Sequence, residues 1–526
     1  MTHPLNILFI SSEIVPFAKT GGLADVSFAL PQAIKELGHE VRAMMPKYGF
    51  ISERKFGIHE IVRLREMDIP VGDKLQRGSA KASFIVGQKV KVQVYFLENE
   101  FYYNRDGLYV DSKTKKDYPD NDERFIFFSK GIIETLKKLG WRPDVIHCND
   151  WQTALVPVYL KTIYNDEPFF KGVKTVLTIH NIGYQGVFPK ESFYKSGLPD
   201  EIFPQIEHNG KFNFLKAGIL YADVITTVSP TYAKEIISDD EIGAGLSDVL
   251  KKRKKDIYGI LNGVDYSVWS PENDKYIPVP YSIQTIETKY ENKKALLRHF
   301  GLEYDERIPV IAQISRLAEQ KGFDLVEEII DEMMKLDIQY IVLGTGEPRY
   351  EEMLEKIKKK YPKKVGIHIG FSEELAHLIE AGADIFLMPS RYEPFGMVSI
   401  EAQALGTPVV VSAVGGLPET IIDLRYDPTY GSGIAIQLND LYSMGEAIND
   451  LSCLTEFADT NDRGVLDRLR SSWAINAVRR NPQINVRDNA IKWVESKFRE
   501  NRLRELLRSC YEKARNYAYY RALTPL

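Results

Sequence analysis

Three stretches of this 526-residue chain combine cations, glycines and carboxylates in patterns suited to phosphate and sugar chemistry. The first, FAKTGGLADV, sets Lys19 just ahead of Gly21 and Gly22. Glycines let a ligand approach the peptide N–H groups, a helix starting there offers its positive end, and the lysine adds a full charge. Together these suit a phosphate or a polyol, although a glycine-rich turn with a solvated lysine has the same composition. The second, SRLAEQKGFDLV, holds Arg316 and Lys321. Two cations at one strand end can share a diphosphate, the arginine as a fork to two oxygens and the lysine as a point charge. The third, SRYEPFGMVSIEAQALG, carries Glu393 before a turn and Glu401 eight positions on, about two helical turns away. Pro394 and Gly396 permit a helix start whose first amides, Met397 and Val398, can meet an anionic ligand. Asp150 in HCNDW and His180 in TIHNIGYQGVFP each close an apolar run. A lone histidine or aspartate is usually structural, but two at successive strand ends point to a site.

The elements that must position these residues alternate strand and helix. LNILFI, an amphipathic segment over 23–37, a helix-ending Gly38 and GHEVRAMMP read as a βαβ unit. DVIHCND, KTVLTIH and ADVITTVS are β-rich runs ending in Asp150, His180 and Ser229. The second half repeats the rhythm through IPVIAQIS, IQYIVLGTG, KVGIHIG, ADIFLMPS and TPVVVSAVGG, with helical segments between them. Near-continuous apolar strands separated by helices indicate parallel sheets covered on both faces, with ligands beyond the carboxyl ends of the strands. The expected fold is α/β, with two Rossmann-like, doubly wound parallel-sheet domains facing a deep cleft. The expected division is one sheet domain over 1–255, a second over 256–495, and a C-terminal helix over 496–526 packing back on the first domain. Over 438–489 the periodicity blurs.

Bulk properties narrow the function. The 68 basic and 73 acidic residues leave a net charge of −5, which gives no broad positive field for nucleic acid or an anionic membrane. The run KKRKK over 251–255 is expected to cap a helix end. Three scattered cysteines form neither a disulfide framework nor a zinc site, and no apolar stretch approaches the roughly 18 residues needed to span a bilayer. A cytoplasmic location is expected, and the sequence carries no signal for an oligomeric state. GxxxxGK[ST], HExxH and GxSxG are absent.

Together the motifs resemble the bacterial glycogen synthase and plant starch synthase family, retaining glucosyltransferases of the GT-B fold. The resemblance runs through KTGGLADV, DNDERFIFFSKGIIE, DVIHCNDWQTALVPVYLK, TIHNIGYQGVFP, GILNGVDYSVWSPENDKYI, SRLAEQKGFDLV and YEPFGMVSIEA. It implies transfer of glucose, with retention, from a nucleoside diphosphate glucose to the non-reducing end of an α-1,4-glucan. ADP-glucose is expected ahead of UDP-glucose, with no cofactor and no metal. It further implies that Lys19 and Gly22 approach the donor phosphates, and that Arg316 and Lys321 neutralise the leaving diphosphate. His180 contacts the transferred glucose, Asp150 lies near the reacting centre, and Glu393 holds glucose hydroxyls. Asp25 and Asn262 are placed near donor and acceptor. Phe395 stands where the family usually has cysteine. The spacing of Glu393 and Glu401 is that of the wider retaining class, in which the second carboxylate contacts the nucleotide ribose. Two other readings fit the same residues: a related transferase with a different acceptor, and a non-catalytic glucan-binding protein.

Overall fold

The computed structural model describes residues 4–460 except 88, 115, 428, 429, 438 and 439. The helix expected over 496–526 and most of the blurred stretch lie outside the described residues; the part of that stretch within them holds the helix Leu441–Thr460. The chain divides into two units between Ile260 and Leu261.

In the first unit the apolar runs form strands β1 (Asn6–Ile10), β2 (Glu40–Pro46), β3 (His59–Glu60), β4 (Met67–Val71), β5 (Lys74–Val86) and β6 (Lys91–Glu98). They continue as β7 (Val145–Asn149), β8 (Lys174–Ile179), β9 (Val187–Phe188), β10 (Glu207–His208), β11 (Lys211–Asn213), β12 (Val224–Thr227) and β13 (Ile257–Gly259). The main sheet runs β13-β12-β8-β7-β1-β2-β6-β5-β3, with β4 paired to β5, and β9, β10 and β11 make a small separate sheet. From β6 through β1 to β13 every pairing is parallel. The chain steps outward from β1 to β2 and β6, then returns to the far side of β1 with β7. That reversal opens a crevice at the carboxyl ends of β1 and β7, where doubly wound sheets bind ligands.

The parallel expectation needs one correction, because β3, β4 and β5 pair antiparallel along one edge. Met67, Ile69 and Val71 are buried while Asp68 and Pro70 face water, the two-residue period of a strand wet on one face. A search for continuous apolar runs passes over such strands. The basic run ends the short helix Ser247–Lys252, and Arg253 donates to the carbonyls of Ile219, Leu220 and Ala222 at the end of the helix Phe214–Tyr221. A cation there satisfies carbonyls that no amide of that helix can reach. Ser229 likewise caps a helix, its hydroxyl accepting from the Tyr232 amide at 2.8 Å.

The second unit contains β14 (Val310–Ile314), β15 (Gln339–Gly344), β16 (Val365–Ile369), β17 (Ile385–Met388), β18 (Val409–Ser412) and β19 (Gly433–Ile436). They lie in the order β16-β15-β14-β17-β18-β19, all parallel. Numbered within the unit this is 3-2-1-4-5-6, the doubly wound nucleotide-binding order, with its switch point between β14 and β17. Apolar clusters cover both faces, one around Phe323, Val326 and Ile330, the other around Leu296, Phe386 and Leu417. Both faces are buried, so the strands read as unbroken apolar runs.

Candidate active site

In the second unit the loops after β14 and β17 meet at the switch point, and they are laced together. The Arg391 amide donates to the Gln320 carbonyl at 2.9 Å, the Gln320 carboxamide donates to the Tyr392 carbonyl at 3.2 Å, and Arg391 pairs with Asp324. Gly322 has φ +72°, and a Cβ there would fall 1.9 Å from the Pro389 carbonyl. Left-handed backbone and close approach both require glycine at this position.

This lacing brings Lys321 Nζ to 2.5 Å from Glu393 Oε2, which also accepts from Ser390 Oγ at 3.2 Å. The two side chains are 17% and 9% exposed, so the pair is largely withdrawn from water. Among the described residues Glu393 Oε1 takes no hydrogen bond, which leaves one oxygen for a sugar hydroxyl. Arg316 is exposed, and its guanidinium reaches Gln320 Oε1 at 3.3 Å. Gly415, φ +54°, lies where a Cβ would fall 1.8 Å from the Glu393 carbonyl, and the Gly416 amide donates to that carbonyl at 3.1 Å. Met397 and Val398 open the helix Met397–Ala404, and Glu401 is buried within it. The first amides of a helix have no carbonyl of that helix to bond, and here they stand next to the Glu393 turn. Phe395, two places after Glu393, is buried and packs into the unit. Phe371, 74% exposed, stands at the carboxyl end of β16.

In the first unit β1 feeds the loop that carries Lys19, and β7 ends in Asn149 followed by Asp150. Lys19 Nζ is 2.8 Å from Asp25 Oδ1, each side chain about a quarter exposed, and Gly22 opens the helix Gly22–Glu36. A Cβ on Gly21 would meet no described atom within 4 Å, and its φ of −165° suits any residue. Local folding therefore does not demand glycine there, and the backbone at this turn is open to close approach. The loop is anchored from inside by Glu13. Its buried carboxylate accepts from the Thr20 amide, from Thr20 Oγ1 at 2.6 Å and from the Tyr109 hydroxyl at 2.7 Å. Burial pushes the Glu13 carboxyl above the usual range, while the bonds from Thr20 and Tyr109 pull it back.

Asp150 and His180 are brought together. The His180 amide donates to Asp150 Oδ1 at 2.7 Å, and the Asn181 amide faces the same carboxylate. Burial outweighs these donors and pushes the carboxyl up to about 7, near the point where a group can take or give a proton at neutral pH. Burial also pushes the His180 imidazole down to about 4, so the ring is neutral. Asp150 sits at φ +53°, ψ −172°, a region that is nearly exclusive to glycine.

The structure therefore groups Lys321 with Glu393 and, through Gln320, with Arg316; it groups Asp150 with His180, and Lys19 with Asp25. Asn262 lies in the loop after β13, and no hydrogen bond among the described residues ties it to these groups. Sequence reasoning missed Glu13, Tyr109, Gln320 and Asn149. An acid three residues past an apolar strand and a glutamine inside the Arg316–Lys321 motif were the available signals. Among the described residues no group of three or more His, Cys, Asp or Glu is placed to hold a metal ion, and no helix is long and apolar enough to cross a membrane.

Residues 6–252 match the family described as starch synthase catalytic domain, and residues 298–458 match glycosyl transferases group 1. A glycogen synthase of Geotalea daltonii is 43% identical over 447 residues, covering 85% of this chain and 90% of that protein. A glycogen synthase of Desulforudis audaxviator is 42% identical over 494 residues, covering 90% and 95%. The catalytic domain of starch synthase IV from Arabidopsis thaliana, solved with ADP and acarbose, aligns with a TM-score of 0.80 at 27% identity over 93% of this chain and all of that one. A sucrose-phosphate synthase from Thermosynechococcus elongatus shares the fold, with a TM-score of 0.56 at 17% identity over 96% of this chain and 98% of that one.

Proposed function

The chain belongs to the glycogen synthase and starch synthase family of GT-B glucosyltransferases, and from that premise we propose how its residues divide the work. The enzyme lengthens an α-1,4-glucan with glucose drawn from a nucleoside diphosphate glucose. ADP-glucose is the proposed donor, supported by the ADP held in the related starch synthase IV domain.

The observation that carries the assignment is the Lys321–Glu393 pair, placed with Arg316 on the two loops flanking the switch point of a 3-2-1-4-5-6 sheet. A lysine ammonium has three donors, and Glu393 uses one of them. Lys321 can therefore hold a phosphate oxygen while still orienting the carboxylate, whose Oε1 takes a glucose hydroxyl. Arg316 forks onto the diphosphate, and the Met397 and Val398 amides add donors beside it. Glu401 contacts the nucleotide ribose, and exposed Phe371 offers a face on which the base can stack. Lys19 and the backbone at Gly22 approach the donor phosphates, and Asp25 holds the lysine in place. His180 contacts the transferred glucose, with Asp150 fixing its backbone. Asn262 contributes on the acceptor side.

As the bond from C1 to the diphosphate oxygen breaks, negative charge grows on that oxygen and positive charge on the sugar. Fixed cations at Arg316 and Lys321 then stabilise the transition state more than the bound donor. The acceptor 4-hydroxyl forms its bond to C1 on the leaving group's own side, and its proton passes to the departing phosphate oxygen, so configuration is retained.

Incubation with labelled ADP-glucose or UDP-glucose, with and without glycogen, tests this reading. Label should enter polymer from ADP-glucose only when primer is present, with α-1,4 linkage. Diphosphate release without primer extension, or extension of a small sugar alone, would refute it.

A further inference from the structure

Asn149 and Asp150 are consecutive, and both hold His180. Asp150 takes its backbone amide at 2.7 Å, and Asn149 Oδ1 lies 2.9 Å from its ring Nε2. Successive side chains of an extended strand point to opposite faces. The unusual φ and ψ at Asp150 break that alternation where β7 ends, so two neighbours can grip one residue at the end of β8.

The orientation of Asn149 follows from its other end. The side chain is fully buried, and Nδ2 donates to the Ile10 carbonyl at 2.9 Å. Only the NH2 end of a carboxamide can face a carbonyl, so its oxygen is the atom presented to His180. An oxygen acceptor requires hydrogen on Nε2. A neutral imidazole then carries its lone pair on Nδ1, which takes no hydrogen bond among the described residues. The neighbouring His147 bonds Thr178 Oγ1 at 2.6 Å and leaves the Asn149 oxygen to His180.

We propose that Asn149 is a positioning residue that locks His180 in its Nε2–H tautomer, so that Nδ1 stands as the acceptor for a hydroxyl of the transferred sugar. The role of Nδ1 rests on the reading of His180 given above; the tautomer itself does not. His147 and Asp150 are the titratable groups against this residue, with Glu13 acting on Asp150 from behind.

The test is nitrogen-15 NMR of the full chain labelled at histidine, with the His180 resonances assigned by their loss in His180→Ala. Wild type should show a single protonated ring nitrogen, Nε2, across about pH 5 to 8. Asn149→Leu, similar in size but without an acceptor, should show both tautomers in exchange. Its kcat should fall about tenfold while the donor KM stays within about twofold. Asn149→Asp keeps an acceptor, so it should keep the tautomer, and its charge should move ring protonation and the acid limb of kcat to higher pH. Hydrogen on Nδ1 in wild type would overturn the proposal without any variant. So would an Asn149→Leu enzyme with an unchanged tautomer or unchanged kcat. A wild-type protein that transfers no glucose would instead defeat the functional reading, while the spectrum still decides the tautomer.

Discussion

The His180 amide lies 2.7 Å from Asp150 Oδ1, and Asp150 makes that bond from φ +53°, ψ −172°, a conformation that costs a residue with a Cβ about 1–3 kcal/mol. Asp150→Gly and Asp150→Ala both lose the carboxylate, but only glycine relieves the strain. Thermal denaturation should find the glycine variant more stable than the alanine variant by about 1–2 kcal/mol, after its greater unfolded-state freedom is counted. Both should lose most turnover. Equal stabilities would mean the strain is absent.

The same cluster sets a pH dependence. Asp150 titrates at about 7 in the fold, so between pH 3.8 and 7 the folded state holds a proton that the unfolded chain has released. Its contribution to stability is full below 3.8 and lost as pH rises through 7. His180 and His147, pushed by burial down to about 4 and about 3, act in the opposite sense. Their contribution is full above 6.5 and lost as pH falls. Between pH 4 and 6.5 the two histidines outweigh the one aspartate, a net slope of about 1.4 kcal/mol per pH unit from these three groups. Asp150→Asn removes the opposing contribution, so the slope from urea unfolding across this window should steepen by about 1.4 kcal/mol per pH unit. A slope that stays the same or becomes shallower would contradict the assignment.

Tyr109 ties to the Lys19 loop through its hydroxyl, which reaches Glu13 Oε1 at 2.7 Å and Ser12 Oγ at 2.7 Å. Tyr109→Phe keeps the ring and should cost about 1 kcal/mol in denaturation. If the anchor holds the loop for its ligand, the donor KM should rise several-fold while kcat changes less. An unchanged KM would make the anchor purely structural.

The fold was largely legible because parallel strands buried on both faces leave unbroken apolar runs, as in IPVIAQIS and ADIFLMPS. The antiparallel edge was not, since Met67, Ile69 and Val71 alternate with polar residues and Pro70. The candidates that stood out were charges whose chemistry is their own: Lys19, Lys321 and Glu393 lie within three residues of a glycine, and Arg316 shares a motif with Lys321. Glu13 and Asn149 do not stand out in this way. Their importance lies in which backbone or ring they meet, Thr20 for Glu13, and the Ile10 carbonyl at the end of β1 and the His180 ring for Asn149, and spacing along the chain does not encode it. The Lys321–Glu393 pairing was hidden for the same reason: 72 residues separate two groups that β14 and β17 bring to adjacent loops.

That pairing predicts non-additivity. Lys321→Met leaves a largely buried carboxylate without its cation, and loss of one partner from such a pair costs about 3 kcal/mol. The double variant Lys321→Met, Glu393→Gln should recover part of that loss. A coupling of about 1–3 kcal/mol in a thermal double-mutant cycle is expected, and a coupling near zero would mean the two groups do not interact in solution.

Fixed cations at the carboxyl end of β14 are proposed to stabilise the departing diphosphate. Steady-state kinetics of Arg316→Ala with ADP-glucose and saturating glycogen test this most directly. The kcat should fall about 10²- to 10³-fold with a much smaller change in donor KM. An unchanged kcat with only a raised KM would contradict it.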